Sequence, residues 1–426
     1  MADPCRVATQ PRPVLPLPRS SPDTATIFGG GLSNRIDRTS PRVLVEVEKR
    51  DLKKFGFQPL IQEVEVTEEL GKIPHARVVI ADPEGKFVSD PLWLEGRQVR
   101  ISTGYPTTQL ASRGRFVIAT PMFEFGARRR IELACFGEEI RLATTERRRA
   151  FSNLTDSDLV RQVAKENGFE AVVQDTTTKY PQITQANKTD GQLLKERAQL
   201  YGYEFYVEEG KIHFHEPRAE TTGIVLRYRG GQESTLGRLK VGVSCQYRAL
   251  TASLTQVDPL SGEVFDLTSQ ESQDEITSAG LKAAQGEKRT WKDIASVYGG
   301  GEKFVVGGGH LQQRGARAAE IEGLSRLSRW VVDAHGESEG IETMRVRRTI
   351  KILGAGRWSG DYRIVKTIHK FRPGYRVHFE LARTWTGQPG QESPVLVGGP
   401  GASTAGGGLS DVSNRSPLAG IAVEVP

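Results

Sequence analysis

The sequence predicts a β-rich α+β protein: two tandem barrel-like β domains with an α/β insert, a flexible N-terminal arm and a flexible C-terminal tail. Three observations carry that prediction. Short stretches on both sides of residues 151–217 alternate apolar and polar residues with a period of two. Within 151–217 the pattern becomes two helices and a hairpin. At both ends of the chain the alternation stops, and proline and glycine take over.

Residues 1–42 form the arm. They hold seven prolines and a Gly29-Gly30-Gly31 run, with no hydrophobic period, so an extended or disordered segment is expected. The first β domain is placed at 43–150. Val43, Val45 and Val47 open it, and the same alternation returns at Val64 and Val66, at Ala76, Val78 and Ile80, and at Val99 and Ile101. Phe116 and Ile118 continue it, then Ile131, Leu133 and Cys135. Turn residues such as Asp82-Pro83-Glu84-Gly85 fall between these runs. Short strands at this spacing predict a barrel or sandwich.

The insert, 151–217, is the best-punctuated part of the chain. Thr155 and Asp156 are caps for a helix whose stripe is Leu159, Val160 and Val163 and which stops at Gly168. Thr189 and Asp190 open a second helix, with Leu193, Leu194 and Ala198 inward and an end near Tyr201-Gly202. Tyr203, Phe205 and Val207 then alternate on one strand, Glu208-Glu209-Gly210 turns, and Ile212 and Phe214 alternate on the return.

The second β domain is placed at 218–386. Its strand-like pattern runs from Ile224 to about Val264, including Leu239, Val241 and Val243. A polar, Gly-rich insertion follows around 268–310, then a helix from about Leu311 to Val332. Tyr362, Ile364, Lys366 and Ile368 form one closing alternating set, and Val377, Phe379 and Leu381 another. In the tail, 387–426, fourteen of forty residues are glycine or proline, which points to low complexity.

Composition narrows the functional classes. The 426 residues are 37% hydrophobic, with no apolar run near the length of a membrane span and no secretory pattern at the start. A transmembrane protein is therefore not expected, and assembly in the cytoplasm is. Cys5, Cys135 and Cys245 are too few for a disulfide framework or a structural zinc site, and Cys135 reads as a strand core residue. The net charge of +6 permits an anionic partner without requiring one.

No residue is assigned a catalytic, cofactor-binding or metal-binding role. His213 and His215 lie at i and i+2 on one strand face, but a third metal ligand is missing, so a polar outer face of the hairpin is the simpler reading. Asp156 and Asp158 fall in a first helical turn, where carboxylates suit the helix dipole better than an acid–base role. Glu138 and Glu139 are adjacent, so on a strand they face opposite ways. Gly307-Gly308-Gly309 lacks the spacing of a phosphate or dinucleotide loop, and Ser244-Cys245 has no nucleophile-elbow context. Three arginine clusters remain: Arg128-Arg129-Arg130, Arg147-Arg148-Arg149, and Arg345 with Arg347-Arg348. Interleaved aromatics and a nucleic-acid-binding signature are missing, and arginine-rich strand edges also make subunit contacts.

Two strings bring a family into view. LTDSDLVRQVAKENG…TDGQLLKERAQLYGYEFYVEEGKIHFHEP at 154–217 and GRWSGDYRIVKTIHKFRPGYRVHFELAR at 356–383 resemble the phage late control gene D proteins. These are tail baseplate hubs, related to the hub portion of type VI secretion spikes and of other contractile injection systems. VLVEV at 43–47 and the helix near 314–332 also fit, so the resemblance covers about 43–385. It implies a non-enzymatic homotrimer, a pseudo-sixfold ring that joins a sixfold tail tube to a threefold spike. The implied partners are a spike protein, a tail tube or tube-initiator protein, baseplate wedge proteins and the tape measure protein. Membrane is not among them, and nucleic acid enters only as passing cargo. The implied location is the virion tail or injection-system baseplate. The spike is expected on a separate polypeptide, because no β-helical repeat follows the hub portion. The two other readings are a tail-associated cell-wall hydrolase component and a basic nucleic-acid-binding protein.

Overall fold

Two β-rich stretches far apart in sequence meet in one sheet. The structure is a computed structural model, and it describes residues 40–52, 60–106, 109–218, 220–228, 235–243, 251–257, 264–268, 302–304, 330–372 and 374–384. Residues 1–39, the 385–426 segment, nearly all of the 268–310 insertion, residues 311–329, Ser244 and Cys245 lie outside the described residues.

The first stretch contributes β1 (Arg42–Val47), β2 (Arg50–Asp51), β3 (Ile61–Glu69), β4 (His75–Ala81), β5 (Gln98–Gly104), β6 (Ala111–Glu124) and β7 (Arg130–Gly137). The insert follows with β8 (Glu146–Thr155), α1 (Asp156–Glu166), β9 (Glu170–Val173) and β10 (Lys179–Thr189). It continues with α2 (Asp190–Tyr201), β11 (Glu204–Glu208) and β12 (Lys211–His215). The second stretch holds β13 (Glu220–Arg227), β14 (Leu236–Val243), β15 (Thr251–Val257), β16 (Val264–Thr268) and β17 (Glu302–Phe304). It closes with β18 (Trp330–Glu339), β19 (Arg348–Leu353), β20 (Gly360–Arg372) and β21 (Gly374–Thr384). The chain is a β-rich α+β protein.

The large sheet runs β14-β18-β21-β20-β3-β4-β7-β6-β5-β1-β2, with β19 beside β20 and β13 beside β19. Its two halves join at β20–β3, an antiparallel pairing from Lys366↔Glu69 to Phe371↔Val64. The alternation read from the sequence explains which face is buried. Val45, Val64, Val66, Val78, Ile80, Ile101, Ile118 and Leu133 share one apolar cluster with Val332, Ile350, Ile364, Val377 and Leu381. Burying that face supplies most of the driving force for folding, at about 25 cal/mol per Å² of apolar surface removed from water.

The opposite face of the same sheet carries charge in cross-strand rows. Arg77 Nε lies 2.6 Å from Glu132 Oε1, and Arg372 Nη2 lies 2.8 Å from Glu63 Oε2. Lys370 reaches Glu65 at 3.1 Å, and Lys366 reaches Glu69 at 3.4 Å and Glu380 at 3.2 Å. Each exposed pair contributes little to stability, but opposite charges directly across a ladder favour this register.

The insert has its own core, built from Leu159, Val160, Val163, Leu193, Leu194, Phe205, Ile212 and Phe214. Its helices start where the sequence places them. The Thr155 side chain caps α1 by accepting from Asp158 N, and Thr189 forms a capping box with Gln192 at the start of α2. Gly202 ends α2 in the left-handed region, at φ 63°, as an αL cap requires.

Four expectations are corrected. The helix from about Leu311 to Val332 cannot extend to its predicted end, because Trp330–Glu339 is β18, with Val332 fully buried between β14 and β21. Glu138 and Glu139 lie in a short 3₁₀ turn, Glu138–Leu142, rather than on a strand. In β20 a register shift between Ile364 and Lys366 reverses the alternation. Tyr362 and Ile364 face the core as expected, but beyond the bulge Thr367, His369 and Phe371 point inward instead of Lys366 and Ile368. The fourth concerns the hairpin.

Candidate functional site

The β11–β12 hairpin has two unlike faces. Phe205, Ile212 and Phe214 enter the insert core. The other face carries Glu204, Tyr206 and Glu208, paired across the strands with His215, His213 and Lys211. The sequence reading put this face outward. The structure turns it against the β body, because basic residues there supply what its glutamates need. Arg363 Nη2 donates to Glu204 Oε1 at 2.5 Å, and Arg345 Nη1 lies 2.6 Å from Glu208 Oε1. At the turn, Ser112 Oγ donates to Glu209 Oε1 at 2.8 Å, and Lys195 Nζ donates to Gly71 O at 2.8 Å from α2.

The seam continues inward to a buried polar centre. Arg345 Nη2 donates to Glu68 Oε1 at 3.0 Å, and Glu68 is 2% exposed. Burial alone would raise the Glu68 carboxyl, but the guanidinium groups of Arg345 and Arg113 outweigh it and hold the group below its ordinary range. Arg113, fully buried, donates from Nη1 to Met344 O at 3.1 Å and lies 2.9 Å from His369 Nε2. His369 Nδ1 sits 2.8 Å from the Tyr375 hydroxyl. Burial, reinforced by the Arg113 charge, holds His369 well below the ordinary histidine range, so the ring is neutral. Tyr105 donates to Gly340 O at 2.8 Å, and a Cβ at Gly340 would fall 2.0 Å from the Tyr375 ring, so only glycine fits there. These residues come from β3, β6, β20, β21, Tyr105 just after β5, and the 340–347 loop, which this network binds together. The sequence offered no signal for Arg113 or His369, since both sit in strands that read as ordinary.

The three arginine clusters take different places. Arg345 and Arg347 line the seam rather than a surface edge. Strand alternation turns Arg147 and Arg149 of β8 to one face, where Arg149 Nη2 donates to Asp190 Oδ1 at 2.8 Å and Arg147 approaches Glu166, while Arg148 points to solvent. Arg128, Arg129 and Arg130 stay exposed at the β6–β7 turn. Asp156 is wholly buried and takes a bidentate contact from Arg197, 2.8 Å at Nη2, which links α1 to α2. Asp158 accepts from the Thr155 hydroxyl at 2.8 Å and from Arg161 at 3.2 Å. Both aspartates are thus helix-start groups, as their sequence position suggests. Cys135 is buried, and burial pushes its thiol up to about 12. Among the described residues no group of three or more His, Cys, Asp or Glu side chains could hold a metal ion.

A second feature is exposed. Beyond Ile118, β6 is paired only with β7, because β5 ends its ladder at Val117. This overhang carries Met122, 47% exposed, and Phe123, and the adjoining Phe125 is 72% exposed. An edge of this kind is an adhesive surface, and Pro121 within it removes one ladder donor. Asp82, Val88, Arg129 and these aromatics surround a cavity of about 240 Å³ at the same tip.

Comparison with known proteins places this architecture. A protein-family model described as the Alg8 N-terminal domain matches residues 45–372. The chain belongs to that family. Its described β body and insert both lie almost wholly within the matched stretch. No curated protein sequence matches. Among solved structures, the chain is similar to the 43 kDa tail protein of prophage MuSo2 from Shewanella oneidensis. That match has 12% identity and a TM-score of 0.59, over 82% of this chain and 100% of that one. It is also similar to a tail protein from Neisseria meningitidis MC58, with 11% identity and a TM-score of 0.56, over 81% of this chain and 98% of that one. At such identities the likeness is one of fold: the chain has the fold of these tail proteins. Among the described residues no helix is long and apolar enough to cross a membrane.

Proposed function

We propose that this chain is a structural baseplate hub of a phage tail or phage-tail-like contractile injection system. The observation that carries the reading is the fold shared with the whole length of a prophage tail protein. In this reading the chain is no enzyme. Three copies form a ring, and each contributes its two β-rich halves, so six similar units face the tail tube and three chains face the spike. The late control gene D family is the finer assignment. Spike, tube or tube-initiator, wedge and tape measure proteins are its partners, and the assembled virion tail or baseplate is its place. Obligate rings of this kind bury more than about 2,000 Å² per interface. The exposed Met122–Phe125 tip supplies apolar surface suited to such a contact.

Electron microscopy tests this. Wild-type protein, alone or co-expressed with a spike, is expected to give rings with threefold symmetry. The Met122→Glu/Phe125→Glu double variant is expected to keep its fold, since both side chains are exposed, and to lose the ring. Rings that survive in the variant would remove the tip from the interface. The absence of rings in every preparation would refute the hub.

A further inference from the structure

The seam holds a cavity of about 140 Å³ between the polar hairpin face and the 345–348 segment. That is more than one water molecule needs. Three glutamates line it, and basic side chains have already claimed them. Glu204 is bound by Arg363, Glu208 by Arg345, and Glu220 lies 3.9 Å from Arg348.

Arg347 is different. Its guanidinium forms no hydrogen bond and no ion pair within 4.0 Å among the described residues, and its Nε is buried without a partner. Instead it lies 3.6 Å over the Tyr206 ring, and His213 stacks on the same ring at 4.5 Å. A guanidinium carries five donors, and leaving them unused at a partly dehydrated site is costly. The backbone adds an independent sign. Arg347 sits at φ 73°, in the left-handed region that non-glycine residues rarely adopt, and its N–H is fixed to Ile364 O at 3.0 Å. The fold thus holds a cation in a strained position at the wall of a cavity, where Glu204 and Glu208 attract it only from beyond ion-pair distance among the described residues.

We infer that this cavity is a binding site for one small oxyanion, held by Arg347 with Arg348 and the imidazole of His213 beside it. Planar guanidinium donors match phosphate and carboxylate oxygens, and a desolvated site strengthens the contact. The site lies between the insert and the β body, so an occupied cavity links the hairpin face to the 345–348 segment. The inference does not depend on the hub reading.

The test is thermal unfolding of the full chain in rising inorganic phosphate, and separately in acetate, with ionic strength held constant by sodium chloride. A ligand of the native state raises Tm in a saturable way. A saturable rise with either anion is expected; a stronger effect of phosphate marks a phosphate-type ligand, and of acetate a carboxylate from a peptide. Arg347→Gly suits the left-handed backbone and is expected to abolish the rise. Absence of a saturable shift with both anions, or an equal shift in the variant, overturns the inference. If Arg347→Gly unfolds too readily to melt cleanly, calorimetric titration of the wild type decides, with one anion per chain expected and none contradicting.

Discussion

Glu68→Ala is expected to destabilise the protein by about 3–5 kcal/mol, the usual cost of leaving buried charge without its partner. Glu68 stands between Arg345, which donates to it at 3.0 Å, and the buried Arg113. Removing the carboxylate leaves the fully buried Arg113 and the largely buried Arg345 near each other without it. Among the described residues Arg345 would keep Glu208 as its ion-pair partner, and that contact belongs to the hairpin. The insert should therefore loosen from the β body before the β body itself melts. Urea denaturation checks this, with intrinsic fluorescence and far-UV circular dichroism recorded together. Loss below about 1 kcal/mol, the level of an exposed ion pair, would show that the seam is solvated. Adding Arg345→Met to Glu68→Ala should recover part of the loss, because the charge left unpaired is then removed as well.

Stability is expected to fall on acidification, starting near pH 6.5. His369 has a folded-state value well below its ordinary one, so the unfolded chain binds this proton first as the pH drops. The contribution is therefore complete above about pH 6.5 and declines as the pH falls toward the folded value, at roughly 1.4 kcal/mol per pH unit for one group. His213 shifts in the same direction, through burial and then the nearby His215 and Arg347. Glu68, held low, adds a loss of the same sign at still lower pH. Protonating His369 would place a second cation 2.9 Å from Arg113. Urea midpoints between pH 5 and pH 8 measure the slope. His369→Gln should flatten it, at some cost to stability at pH 8. An unchanged slope in His369→Gln would assign the acid loss elsewhere.

Much of the fold was legible because it rests on local physics. Val45 and Val47, Val64 and Val66, and Ile131 to Cys135 alternate with the period of a strand, and each set lies in the core. Thr155 and Thr189 are helix caps by their chemistry, and Gly202 ends α2 because it accepts a positive φ. What stayed hidden is what depends on distant partners. The pairing of Glu68 with Arg345 spans 277 positions, and no local pattern marks either residue as inward. The bulge at Ile364–Lys366 has no residue signature, so strict alternation in β20 places Lys366 and Ile368 inward and His369 outward. The polar hairpin face read as solvent-facing because isolated charges usually are. Only the body's arginines, brought in from β20 and the 345–348 segment, turn it inward.

Assembly of three copies is tested by the mass of the purified protein in solution. Light scattering over a range of concentration and salt should find a stable species near three times 46.9 kDa. A single 46.9 kDa species at every concentration, and equally in the presence of a spike, would contradict the account.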